Sequence, residues 1–212
     1  GHQNPDLVKP ALGPKNPWAY RNKMQMPVGG AKGDIQMGFY AMGSHDIVQG
    51  TNCPIQDEGN NTIAQVCYDI AKDLDIEPYD EHTGKGVLRH VIGRIGQSGW
   101  MVILVTATDY LLHQEQWIEK LTERIPQVET IVHNVNGKRT NVILGPINHV
   151  LYGDGTITDH IKDLRFTLSP HSFFQVNPEQ TTVLYDQALE YADLKGDETV
   201  IDAYCGTGTI SL

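Results

Sequence analysis

The stretch Thr199–Leu212, TVIDAYCGTGTISL, decides how the chain is read. Val200 and Ile201 form a short apolar run that predicts a buried strand, ended by Asp202. A glycine-bearing turn follows, Cys205-Gly206-Thr207-Gly208-Thr209, and Ile210 and Leu212 read as the first apolar residues of a helix. Strand, glycine turn and helix in this order present backbone N–H groups to a nucleotide-like ligand. Glycine is needed there because a Cβ would hold the backbone away from it. The same turn also serves as a plain connection, so it needs support from the rest of the chain. A strand and one helical turn cannot bury themselves, and the sequence therefore reads as a fragment that ends inside a second domain.

Support comes from the segment just upstream. Asn177-Pro178-Glu179-Gln180 predicts a helix start, with Asn at the N-cap, Pro at the first position and Gln at the third. Leu184, Ala188 and Tyr191 mark its expected buried face, and Gly196 is expected to close it. Before this helix stands Ser172-Phe173-Phe174-Gln175-Val176-Asn177. An aromatic face stacks on a base, and a glutamine bonds a base edge or a ligand amide. Core packing explains one of the two phenylalanines; it explains both plus Gln175 less well. From about residue 166 the chain is expected to open a parallel α/β domain.

The preceding body has another pattern. Residues 1–17 carry four prolines and read as a linker. Met24, Met26 and Val28 alternate with polar residues, and Ile35, Met37 and Phe39 resume after Gly29–Gly33, predicting a hairpin. Ile63, Val66, Cys67, Ile70 and Leu74 give helical spacing over 57–75. A second hairpin joins 87–95 to 100–106, and a helix is expected over 113–124. Asn136-Gly137 predicts a tight hairpin between 128–135 and 141–144. Short strands follow near 147–152, 156–160 and 164–168. The expected fold is an α+β domain over 18–165, antiparallel hairpins backed by two helices, then the truncated start of a Rossmann-like domain over 166–212.

Lys and Arg number 16 against 26 Asp and Glu, a formal charge of −10, which excludes a general nucleic-acid clamp. Any RNA contact must then be local. Arg21, Lys23, Arg89 and Lys138 would make a phosphate-contacting strip if the hairpins share one face; a merely solvated face accounts for them equally well. Arg89 and His90, as strand neighbours, are expected to face opposite sides. The three cysteines form no CxxC, which suits a reducing cytosol, and no segment reads as a signal peptide or membrane span, so the expected location is cytoplasmic. Gly84-Lys85 lacks the frame of a P-loop, and the nine histidines include no HExxH. Cys67 reads as core, and Cys205 as a small residue that fits the turn rather than a nucleophile.

Taken together, SPHSFFQVNPEQTTVLYDQALEYA and VIDAYCGTGTISL strongly resemble the RNA uracil-C5 methyltransferases that make 5-methyluridine, the bacterial 23S ribosomal RNA enzymes in particular. AYRNKMQMPVG, HDIVQGTNCPIQ, GKGVLRHVIGRIG and IVHNVNGKRTNVILG resemble that family's central domain in the same order, so the likeness runs from about Trp18 to the end. It implies S-adenosylmethionine as cofactor and RNA as partner, with no DNA or membrane expected. Asp202, Tyr204, Gly206 and Gly208 match the first cofactor motif, Gln175 a glutamine at the cofactor and target base, and Phe173 an aromatic beside the target uridine. Cys53 matches the last of four cysteines that hold a [4Fe–4S] cluster in many members.

The resemblance also implies the chemistry. A cysteine thiolate adds at C6 of uracil, the resulting enolate takes the methyl group at C5, and a base removes the C5 proton. It places that cysteine, the base and the ribose-binding acid beyond Leu212, and three cluster cysteines before Gly1. The chain alone is therefore expected to be inactive, without a cluster, and at best a weak binder of cofactor. Two other readings remain: a Rossmann methyltransferase with a different target, and an RNA-binding module without chemistry.

Overall fold

The computed structural model describes Asn4 and residues 7–211. A seven-stranded mixed sheet dominates, built from β1 (Lys23–Ala31), β2 (Asp34–Tyr40), β3 (Ile47–Gln49), β4 (Leu88–Ile95), β5 (Trp100–Thr106), β6 (Val128–Val135) and β7 (Ile147–Tyr152). Their spatial order is β3-β2-β1-β4-β5-β6-β7, and every neighbouring pair is antiparallel except β5–β6. That parallel pair is joined through a helix, because parallel strands need a long crossover. A separate hairpin pairs β8 (Ile157–Ile161) with β9 (Leu164–Leu168).

Two helices cover one face. In α1 (Glu58–Asp73), Ile63, Cys67 and Ile70 are fully buried at one-turn spacing, and the Asp57 side chain caps the start by accepting from Gly59 N–H at 2.8 Å. In α2 (Gln114–Arg124), Trp117 and Leu121 point inward. They meet Met24, Met26, Val91, Val102, Leu104 and Ile131 from the sheet. The opposite face carries Ile92, Met101, Ile103, Val105 and Val132, which pack on Ile157, Ile161, Phe166 and Leu168 of the β8–β9 hairpin and on Phe174 and Tyr185. Strand β5 reads as an unbroken apolar run because both of its faces are covered.

Several expectations hold: both expected helices, the 87–106 hairpin, β7 to β9, and the core position of Cys67. Others are corrected. Gly29 to Ala31 continue β1, and the turn is only Lys32-Gly33. Asn136-Gly137 makes no tight hairpin: β6 pairs with β7 instead, and residues 141–144 form no strand. A two-residue I′ turn needs positive φ at both central residues, and neither has it. Asn136 is instead buried, donating from Nδ2 to the carbonyls of Val142 and Ile143 at 2.6 and 2.9 Å.

The C-terminal expectations change most. Helix α3 (Pro178–Ala192) starts as predicted, Asn177 Oδ1 accepting from Gln180 N–H at 3.0 Å. It buries Thr181 and Tyr185, while Leu184 and Tyr191, expected to be inside, are exposed. Asp193, at φ 47°, takes the left-handed cap position that Gly196 was expected to fill. Val200 and Ile201 are 64% and 85% exposed and form no strand, since no neighbour pairs with them among the described residues. Residues 206–211 are turns rather than a helix. The expected division at 165/166 falls inside β9, whose Phe166 and Leu168 belong to the sheet-face core.

Candidate functional site

The arm formed by residues 169–177 leaves β9, crosses the end of the sheet and enters α3. Three contacts fix it. Asn22 N–H donates to the Val176 carbonyl at 2.9 Å, laying the arm beside the start of β1. The Arg94 guanidinium donates from Nη2 to the Ser172 carbonyl. Phe174 turns into the core against Phe166, ring centroids 5.5 Å apart. With its neighbour anchored, Phe173 is left 70% exposed. One phenylalanine therefore packs and the other is presented.

The glycine turn meets this arm. Thr207 Oγ1 donates to the Phe173 carbonyl at 3.3 Å, and Thr209 Oγ1 lies 2.8 Å from Tyr185 Oη of α3. Gly206 and Gly208 sit at φ +56° and +77°, the left-handed region that side chains disfavour. A Cβ on Gly206 would meet no atom of the described residues within 4 Å. Asp202 accepts from Tyr204 N–H at 3.3 Å through Oδ1, while its Oδ2 is buried without a partner among the described residues. An orphaned buried carboxylate oxygen beside two left-handed glycines suits a ligand with donors of its own. Tyr204 is 98% exposed. Gln175 helps line a cavity of about 500 Å³ together with Lys9, Leu12 and the α3 residues Gln180, Leu184 and Tyr191.

Basic groups gather at the other edge of the arm. Lys23 and Arg94 are cross-strand partners on one sheet face, with Arg21 adjacent. Burial first, then Arg94 and Arg21, push the Lys23 ammonium down to about 8, and burial lowers Arg94 to about 10. Buried Asp159 accepts from Asn22 Nδ2 at 3.5 Å, and burial holds its carboxyl above the usual range. Arg94, the residue that ties arm to sheet, is missing from the strip expected from the sequence; only its cross-strand position opposite Lys23 could have flagged it.

The expected strip of Arg21, Lys23, Arg89 and Lys138 does not lie together. Arg89 stands five residues along β4 from Arg94, roughly 17 Å away at strand rise. It is 6% exposed, donates from Nη1 to the Asn136 and Lys138 carbonyls at 2.5 and 2.7 Å, and lies over the Tyr79 ring. So Lys138 meets Arg89 through its backbone, and Arg89 is held away from solvent. A β-bulge falls at Arg89, so it and His90 line one cleft instead of opposite faces.

Cys53 lies half-buried in the loop before α1, its N–H donating to Asn61 Oδ1 at 3.0 Å. Among the described residues no group of three or more His, Cys, Asp or Glu could hold a metal ion. A [4Fe–4S] cluster needs four thiolates. Cys67 is sealed in the core and Cys205 sits on the glycine turn. The cluster does not fit these residues.

No family model matches the chain. Curated relatives do. The chain is 51% identical over 207 residues to an uncharacterized RNA methyltransferase of Bacillus cereus (strain ATCC 14579), covering 97% of this chain and 45% of the relative. It is 49% identical, with the same coverage, to one of Clostridium tetani. Over nearly its whole length this chain is similar to part of proteins named RNA methyltransferases. It spans less than half the length of these relatives. Its fold matches a tRNA (uracil-54, C5)-methyltransferase of Pyrococcus abyssi in complex with S-adenosyl-L-homocysteine, at TM-score 0.75 and 23% identity, over 93% of this chain and 46% of that one. The resemblance read in the sequence is thus borne out at the level of the family. Among the described residues of this chain, no helix is long and apolar enough to cross a membrane.

Proposed function

We propose that this chain is the part of an S-adenosylmethionine-dependent RNA methyltransferase that presents a uridine for methylation at C5. One observation carries the reading. The arm holding exposed Phe173 is tied by Thr207 to the glycine turn and by Arg94 to the end of the sheet where β1 begins with Lys23. A base stacked on Phe173 would lie between a cofactor turn and cations suited to its phosphates. Asp202, Tyr204, Gly206, Gly208 and Gln175 would hold S-adenosylmethionine, which supplies an electrophilic methyl group. Gln175 would bond the base edge, and Arg21 and Lys23 the backbone. The thiolate that adds to C6, and the base that takes the C5 proton, are assigned by resemblance to chain beyond Leu212. Bacterial 23S ribosomal RNA is the proposed target.

The test uses the entire gene product with S-adenosylmethionine and RNA tritiated at uracil C5. Cofactor-dependent release of tritium to water from 23S RNA is expected, because C5 substitution expels that hydrogen. Release from transfer RNA alone would move the target. Methyl incorporation without release would place the reaction at another atom and overturn the C5 assignment.

A further inference from the structure

A second cleft lies on the same sheet face as the arm, at the far end of β4. Met24, Met26, Val28, Ile35 and Met37 point to the helices. The alternate residues Lys23, Gln25, Pro27, Gln36 and Tyr40 therefore lie on the opposite face, where Lys23 and Pro27 pair in register with Arg94 and His90. That face runs from Phe173 past Lys23 and Gln25 to an opening at Tyr40.

The opening has two adjoining lobes of about 240 Å³ each, sharing His45, Tyr79, Glu81, His82 and Arg89. Tyr40 and His45 stack at 5.0 Å with planes 19° apart, and Tyr40 remains 42% exposed. His45 Nδ1 is fixed by Glu81 Oε1 at 2.7 Å. Two of the lining residues carry buried polar atoms without partners among the described residues, Arg89 Nε and His90 Nδ1. Arg89 Nη1 is held by two carbonyls, and the guanidinium lies over the Tyr79 ring. Its free N–H is thus a donor kept in place with nothing to donate to, which native structures rarely tolerate.

The charge balance selects the ligand. Asp46, Asp80 and Glu81 line the cleft beside Arg89 and Arg139, so an isolated phosphate meets repulsion as well as attraction. A nucleobase is neutral, planar and edged with both donors and acceptors, and it stacks on an aromatic surface. We propose that this cleft binds an unpaired base of the same RNA strand whose target uridine lies at Phe173. The inference rests on the proposed function for its choice of RNA. The base would stack on Tyr40, its edge turned toward Arg89 and His90 in the cleft lining, while the intervening backbone runs past Lys23. Holding a second base would fix the register of the strand and deliver one uridine to Phe173.

The test is photocrosslinking of the entire gene product to 4-thiouridine-substituted single-stranded RNA, with the linked peptides mapped by mass spectrometry. Affinity for the same RNA is measured in Tyr40→Leu and His45→Ala variants whose melting temperatures are checked. Crosslinks to residues 40–45 or 79–82, and an affinity lowered at least about fivefold by Tyr40→Leu, are expected. Crosslinks confined to 173–175, with both variants binding normally and methyl transfer intact, overturn the cleft and leave the function standing. Crosslinks in the cleft without any methyl transfer keep the base site and overturn the proposed reaction. No crosslink anywhere overturns both.

Discussion

Arg94 of β4 and Ser172 of the arm are 78 residues apart, and the buried guanidinium of one donates to the backbone carbonyl of the other. The contact decides where Phe173 stands, because Ser172 is its neighbour. Arg94 Nε is buried without a partner among the described residues, so the side chain is held by this bond and by packing.

Arg94→Met removes the donor but keeps most of the volume. The Ser172 carbonyl then loses its partner, which costs on the order of 1–3 kcal/mol. The expected result is a lower unfolding midpoint together with kcat for methyl transfer at least about tenfold lower and RNA Kd little changed, since a misplaced base is still bound. Equal losses in stability and RNA affinity, with kcat preserved, would show a structural role alone.

Tyr185→Phe tests the link between α3 and the glycine turn. Tyr185 Oη and Thr209 Oγ1 are 2.8 Å apart and part-buried. Losing one neutral hydrogen bond is worth about 1 kcal/mol, so S-adenosylmethionine should bind roughly 2- to 10-fold more weakly, as read by calorimetry. The aromatic ring stays in the core, and the melting temperature should move little. Unchanged cofactor affinity would mean that the turn does not depend on this bond.

Lys23 should make RNA binding pH-dependent. Its ammonium is lowered to about 8, by burial first and then by Arg94 and Arg21. Between about 8 and the ordinary lysine value near 10.4 the unfolded chain binds more protons, so this group's folding cost, present below 8, is relieved as pH rises. RNA phosphates favour the charged form, so affinity should fall as pH rises through about 8. Lys23→Arg should flatten that profile in an anisotropy titration. Lys23→Ala should reduce the salt slope by about 0.7. A wild-type profile flat across this range would remove Lys23 from the interface.

Acid stability follows from two histidines. Burial, helped by Arg89, pushes His90 down to about 4; burial and then His149 do the same to His133, which lies 2.6 Å from Thr106 Oγ1. Between the ordinary value near 6.5 and about 4 the unfolded chain binds more protons, so stability is lost as pH falls through that window. Asp159, raised by burial, offsets part of the loss. Allowing for solvent at these rings, about 2 kcal/mol should disappear between about pH 7 and 4.5 in urea unfolding. Equal urea midpoints at the two pH values would contradict these shifts.

The sequence by itself determined what depends on neighbours along the chain. The spacing of Ile63, Cys67 and Ile70 fixes the buried face of α1, and Asn177-Pro178 fixes the start of α3, because capping and periodicity are satisfied within a turn or two. It also named Phe173, Gln175 and the glycine pair through their local pattern. Only the tertiary structure decided which groups meet. The Asn136 amide serves a long loop rather than a tight turn because Arg89, 47 residues away, takes its carbonyl. Val200 and Ile201 are apolar enough for a strand, yet a strand forms only where another lies alongside to pair its backbone. The cations sort by the same physics: Lys23 and Arg94 converge through strand register, while Arg89 is withdrawn by a bulge and two distant carbonyls, partners that no local pattern announces.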